Sequence, residues 1–295
     1  MPDFYPNNFL GLPSELSDLG GADYVILSLP YEVTTSYGKG AKFGPQAIIE
    51  ASRNMELYDE EVGFEPCRRG IHTTGDLDIH AVDPSKMVEA VRKAVSHYTQ
   101  LGKFVVALGG EHSLSYPAFL AHQALHGELG VVQIDAHADL RDTYEGTPYN
   151  HACVMRRITE KAAGACQIGI RSLSSEEADF LASRPSPWPV LWARECAAGG
   201  SWMDKAVESL PEKVYLTIDV DGFDPSLMPC TGTPEPGGLQ WYPVLNFISR
   251  LMAERTVVGM DIMELAPDRV HFASDFLAAR LVYKAIAYHQ QGRGH

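Results

Sequence analysis

At 295 residues the chain is long enough for one large α/β domain whose core needs no disulfides. A formal net charge of −14 excludes nucleic acid as the main partner, and no run approaches the roughly 18 apolar residues of a membrane span. Five scattered cysteines, Cys67, Cys153, Cys166, Cys196 and Cys230, form no C-x-x-C pair, which predicts reduced thiols and a cytoplasmic location.

Met1 to Pro6 has neither a basic region nor an apolar run, so no secretion signal is expected. Residues 24–29 read as a strand that stops at Pro30, and a glycine-rich loop follows at 34–40. Gly44-Pro45 introduces an amphipathic run to Asn54, with Pro45 suited to a first helical position. Residues 71–79 hold a loosely patterned strand. Asp83 as N-cap and Pro84 as N1 open a helix with Met87, Val91, Ala94, Val95 and Tyr98 on one face.

Residues 103–108 form the next strand, broken by Gly109-Gly110-Glu111-His112, and 113–126 are helical up to Gly127. The strand 131–134 runs into Asp135-Ala-His137-Ala-Asp139. A polar loop spans 140–150, and a helix starts near His151. Strands at 167–170 and 189–192 are separated by a helix at 176–182, with another helix at 203–210. Residues 214–218 form a strand that runs into Asp219-Val-Asp221. A turn-rich loop at 230–238, a helix at 241–253, a strand at 256–262 and a final helix at 272–289 complete the chain, with 290–295 frayed. This alternation predicts a doubly wound, mainly parallel sheet with helices on both faces. No linker or repeat divides residues 1–295, so a single domain is expected.

In an extended backbone, residues i, i+2 and i+4 point to one side, so Asp135, His137 and Asp139 converge where their strand ends. His112 and the pair Asp219 and Asp221 sit at two further strand ends, where open α/β sheets bind ligands. A lone Asp-x-Asp is usually a cap or turn. Four Asp and two His at three such ends are not explained by capping. This oxygen-rich set suits Mn²⁺, with Mg²⁺, Fe²⁺, Co²⁺ or Zn²⁺ as alternatives. Six ligands exceed the needs of one open zinc site and fit two metals sharing carboxylates, with a bridging hydroxide as nucleophile.

Gly109-Gly-Glu-His-Ser113, Asp135-Ala-His-Ala-Asp139 and Thr217-Ile-Asp-Val-Asp-Gly-Phe-Asp-Pro-Ser226 resemble the three signature motifs of the ureohydrolases: arginase, agmatinase and relatives. The resemblance extends to Gly40-Ala-Lys-Phe-Gly-Pro45, to Gly232-Thr-Pro-Glu-Pro-Gly-Gly238 and to Gly259-Met-Asp-Ile-Met-Glu264, so it covers nearly the whole chain. It implies a three-layer α/β/α fold, two Mn²⁺ per subunit, and hydrolysis of a small guanidine to urea and an amine. It implies that His112, Asp135, Asp139 and Asp219 hold one metal and Asp135, His137, Asp219 and Asp221 the other, with Asp135 and Asp219 bridging. Glu264 matches the glutamate that receives the guanidinium. His151 matches a histidine proton shuttle, and Asp139 would pass a proton to the departing amine. The resemblance also implies a homo-oligomer, a hexamer or trimer.

The loop 140–151 carries Arg141 where arginases carry an Asn, and it lacks their Ser-Gly-Asn-x-His-Gly run. That is similar to agmatinases, so the expected reaction is agmatine to putrescine and urea. Arg141 is a candidate substrate-binding residue. Facing the pocket, it would favour a carboxylate-bearing guanidine such as 4-guanidinobutyrate. Other readings are an arginase, a two-metal phosphoesterase, disfavoured by the scarcity of Lys and Arg near the motifs, and a non-catalytic relative, disfavoured by the intact ligand set.

Overall fold

The computed structural model describes residues 6–184, 188–268 and 270–294. Residues 1–5, which carry most of the expectation about a secretion signal, lie outside them.

Among the described residues eight strands occur in chain order: β1 Tyr24–Leu29, β2 Ile71–Asp76, β3 Phe104–Gly109, β4 Gly130–Ile134, β5 Gly164–Ile170, β6 Val190–Trp192, β7 Lys213–Asp219 and β8 Thr256–Met263. Helix α1 Ser14–Ser17 precedes β1, and between the strands lie α2 Gly44–Ser52, α3 Pro84–Gln100, α4 Ser115–His126, α5 Val154–Thr159, α6 Ser175–Ser183, α7 Ala193–Ala197, α8 Trp202–Glu208 and α9 Trp241–Glu254, with α10 Ala273–Gly292 last. The strands form one sheet in the order β2-β1-β3-β8-β7-β4-β5-β6, and every neighbouring pair is parallel.

Strands covered on both faces must be apolar throughout, and β1, β3 and β4 are buried along their whole length. Alternate residues feed two cores. Val132, Ile134, Leu216 and Ile218 face the layer of α2, α8, α9 and α10. Val105, Val131 and Tyr215 face the layer of α3, α4 and α5. This is the three-layer α/β/α arrangement. Packing of α4 onto the sheet leaves no room beside β8: a Cβ at Gly259 would lie 2.3 Å from His122 Cε1.

The final helix differs from expectation. It does not fray at Gln290 but continues to Gly292. Gln290 is buried, and its side chain donates to Pro66 O at 2.8 Å, which anchors the last turn. Lys284, also buried on this helix, pairs with Asp59, Glu60 and Glu61 at 3.1, 3.0 and 2.8 Å. A buried ammonium is tolerated only with such partners.

The strand order decides where the chemistry can sit. The carboxyl ends of β3, β8, β7 and β4 and the residues just past them carry all the candidate metal ligands and Glu264. These are four adjacent strands at the centre of the sheet.

Candidate metal centre and substrate cleft

Beyond β4 the chain bends at Ala136 but keeps its contacts with the segment that follows β5. Asp135 N donates to Ile168 O, Ala138 N donates to Ser172 O, and His137 bridges Ser172. Ala136 and Ala138 are fully buried, so the intervening polar side chains turn to the other side. Asp139 then adopts φ 53°, a left-handed conformation costly for a non-glycine residue. Glu264, after β8, does the same at φ 65°. Leu10 and Glu145 are also left-handed, but Asp139 and Glu264 stand at the site, where strain on the order of 1–3 kcal/mol each is held by surrounding structure.

Two groups of side chains result. His112 Nδ1 lies 3.0 Å from Asp135 Oδ2 and 3.3 Å from both Asp139 Oδ2 and Asp219 Oδ2. His137 Nδ1 lies 3.0 Å from Asp221 Oδ2 and 3.7 Å from Asp135 Oδ1. Asp135 therefore offers one oxygen to each group. Asp219 joins the first group, while its Oδ1 accepts the Asp221 N–H at 2.9 Å. All six predicted ligands are thus brought together.

The donor set fits cations. His112 Nδ1 is fully buried and has no hydrogen-bond partner of good geometry among the described residues, although polar atoms in such places normally find one. Burial, with Asp135 adding, pushes Asp139 up to about 7. Burial, with Asp221 and Asp135, pushes Asp219 well above the carboxylate range. For His112, burial lowers the imidazole, but Asp135, Asp139 and Asp219 outweigh it and hold it well above its ordinary value. Four crowded carboxylates require positive charge among them, and two divalent ions supply four units.

Residues behind the ligands orient them. His112 Nε2 donates to Thr217 Oγ1 at 2.8 Å, Thr217 donates to Asp261 Oδ1 at 2.6 Å, and Tyr215 donates to Asp261 Oδ2 at 2.7 Å. Trp188 donates to Gln167 at 2.9 Å, Gln167 to Gln133 at 2.6 Å, and Gln133 to Asp135 Oδ2 at 2.6 Å. Sequence reasoning passed over these groups, though Gln133 and Thr217 each stand two residues before a ligand on the same strand face. It also passed over Glu111, next to His112. Fully buried, Glu111 accepts Val33 N, Thr34 N, Thr34 Oγ1 and Ser113 Oγ at 2.6–2.7 Å. The adjacent glycine lets that loop approach: a Cβ at Gly110 would lie 1.9 Å from Tyr31 O.

Glu264 is buried, and its Oε1 accepts the His112 N–H at 2.7 Å. Burial, with Glu111 adding, pushes its carboxyl well above the ordinary range. His151 follows the N-cap Asn150, and its backbone N–H donates to Thr34 Oγ1 at 3.1 Å. Because the Thr34 hydroxyl proton is given to Glu111, the contact of His151 Nδ1 with Thr34 Oγ1 at 3.3 Å makes the ring nitrogen the donor. Burial pushes the His151 ring down to about 4, with His112 and His137 contributing, so it is neutral.

A cleft of about 270 Å³ opens over these groups, walled by Tyr37, Arg141, Tyr144, His151, Thr233 and Glu264 among others. Arg141 lies with its guanidinium 4.8 Å from the centre of the Tyr144 ring. The neighbouring Asp142 pairs with Arg157 at 2.5 Å rather than with Arg141. Arg171 fixes the far wall by donating to the carbonyls of Gly169, Asp221, Gly222, Phe223 and Glu235.

A parallel α/β/α sheet carries two adjoining carboxylate–histidine groups, each able to hold a cation, at the carboxyl ends of its central strands. Residues 22–287 match the model of the arginase family. The chain is 45% identical to an N(1)-aminopropylagmatine ureohydrolase of Synechocystis, over 96% of each chain. It is 39% identical to an agmatinase of Pyrococcus horikoshii, over 91% of this chain and 93% of that one. Its structure superposes on the crystal structure of the agmatine ureohydrolase of Thermoplasma volcanium with a TM-score of 0.87 at 31% identity, covering 99% of this chain and 97% of that one. The chain belongs to the arginase family. It is a ureohydrolase, an agmatinase-type enzyme that acts on guanidino C–N bonds.

Proposed function

We propose that this ureohydrolase removes urea from agmatine-type amines. N1-aminopropylagmatine is the preferred substrate and gives spermidine, and agmatine follows and gives putrescine. The agmatine expected from the sequence is thereby extended by an aminopropyl group, because the Synechocystis relative carries that substrate in its name at 45% identity. One observation carries the reading: Glu264, pinned by the His112 N–H at 2.7 Å, stands in the cleft beside the ligand cluster. A guanidinium held by that carboxylate lies over the metal ligands.

The ions proposed are two Mn²⁺, which match an oxygen-rich set with two imidazoles. His112, Asp135, Asp139 and Asp219 would hold the first, and Asp135, His137, Asp219 and Asp221 the second, with Asp135 and Asp219 shared. When bound, such a pair supplies a water acidic enough to serve as nucleophile near neutral pH.

The chain's own residues do the rest. Glu264 engages the guanidinium through charge-assisted hydrogen bonds, fixing the angle at which its carbon is presented. The substrate cation also supplies the charge that this buried carboxylate lacks. Asp139 takes up the nucleophile's proton and delivers it to the amine nitrogen, which departs only when protonated. His151, neutral and anchored by Thr34, exchanges protons between the cleft and solvent. The cleft offers no paired Asn and Ser grip for an α-carboxylate at 141–151, consistent with a substrate that has none.

The test is Asp135→Asn and Asp219→Asn in protein loaded with Mn²⁺. Both should abolish urea release while the far-ultraviolet circular dichroism stays that of the parent. Turnover near the parent rate in either variant removes the two-metal reading.

A further inference from the structure

Outside the site described above, a second set of metal-binding side chains lies where the cleft wall meets the start of α10. The donor atoms of Cys230, Asp268 and His271 all fall within 4.8 Å of one another. Asp268 is held in place by the N–H groups of Val270 and His271, both 2.5 Å from its Oδ1, and His271 Nδ1 lies 2.8 Å from its Oδ2. Cys230 is buried, with Sγ 3.5 Å from His271 O.

Two further groups point to a ligand here. Ser274 is fully buried, its hydroxyl meets no nitrogen or oxygen partner among the described residues, and it lies within hydrogen-bonding reach of the Cys230 thiol. Asp275, the next residue, has a buried Oδ1 that likewise has no partner among the described residues. Thiol, imidazole and carboxylate together form the donor set of a zinc-class ion, whereas the catalytic cluster contains no sulfur.

We propose that Cys230, Asp268 and His271 form a separate site for one zinc-class divalent cation. Solvent takes the fourth position on the exposed Asp268–His271 side. Binding releases the Cys230 thiol proton to solvent, so it tightens as pH rises. Its role is structural. The segment at Cys230 is already zipped to the end of β8, with Ala266 N donating to Cys230 O at 3.0 Å and Thr231 bridging Leu265. An ion on Cys230 and His271 ties that same segment, which continues to Gly232 and Thr233 in the cleft wall, to the connection between Glu264 and α10.

Co²⁺ is the probe, added to the Mn²⁺-loaded enzyme and followed by the thiolate-to-cobalt charge-transfer band, which oxygen and nitrogen ligands do not give. The band should saturate at one Co²⁺ per chain, disappear in Cys230→Ser, and require about tenfold or more higher Co²⁺ in His271→Ala. It should persist in Asp135→Asn, which separates this site from the proposed catalytic pair. In parallel, Zn²⁺ should raise Tm in the parent more than in Cys230→Ser. No band in the parent overturns the proposal. So does a band that survives Cys230→Ser, which would place the ion on another thiol such as Cys153, whose charge environment includes Asp139.

Discussion

His112 Nε2 donates to Thr217 Oγ1 at 2.8 Å, and that bond decides which face of the imidazole meets the carboxylates. Thr217 gives its own proton to Asp261, so it can only accept from His112. Nε2 thereby keeps its proton, and Nδ1 is the nitrogen that would be offered to a metal ion among Asp135, Asp139 and Asp219. Thr217→Val keeps the shape and removes the acceptor. Metal affinity should fall about 10–100-fold. An unpaired buried N–H should lower stability by about 1–3 kcal/mol. Metal titration followed by calorimetry reads the first, and denaturant unfolding the second.

His151 is held by Thr34 and not by any metal ligand. His151→Ala should lower kcat by about two orders of magnitude, in the range for a lost proton-transfer group. Two bound Mn²⁺ per chain should remain. Elemental analysis showing metal loss would mean that this histidine belongs to the metal cluster.

Arg141 lines the cleft with its charge over Tyr144 and without Asp142 as a partner. It opposes a cationic substrate tail across a half-exposed space, where such effects are worth about 0–1 kcal/mol. Arg141→Ala should lower KM for agmatine and N1-aminopropylagmatine by about threefold and leave kcat unchanged. A raised KM would make Arg141 a substrate-binding group instead.

Two histidines far from the cleft give a pH dependence of stability. Burial pushes His122, with His126 beside it, down to about 3. It does the same to His289, beside Arg293. The unfolded chain protonates both near pH 6.5, while the folded chain does not until about pH 3. Across that window the unfolded state binds more protons, so stability falls as pH falls. Each group contributes up to about 1.4 kcal/mol per pH unit. His122→Phe should flatten the slope of unfolding free energy between pH 6.5 and 4 by one group's share. Equal slopes in parent and variant would show that His122 carries a proton in the fold.

Most of the frame was legible because parallel strands covered on both faces must be written as apolar runs, as at 24–29 and 104–109. The candidate ligands Asp135, His137 and Asp139 were legible because alternation at a strand end puts them on one side, and the pair Asp219 and Asp221 was legible in the same way. The spatial order was not. β8 inserts between β3 and β7, which puts Glu264 between His112 and Asp219, and no local pattern encodes that crossover. Nor does sequence announce a left-handed backbone at Glu264, since only Gly and, less often, Asn or Asp advertise one. Glu111 and Thr217 went unread because a polar residue beside a motif has no periodicity of its own. Their role appears only when the loop at 33–34 and β8 pack against them.

Urea released by Mn²⁺-loaded enzyme from N1-aminopropylagmatine, agmatine, arginine and 4-guanidinobutyrate decides the substrate. kcat/KM for the first two should exceed that for the last two by at least about tenfold, a difference of about 1.4 kcal/mol in transition-state binding. N1-aminopropylagmatine should lead, with spermidine formed in equal amount to urea. A panel led by arginine or 4-guanidinobutyrate, or one yielding no urea from any of the four, would contradict the proposed function.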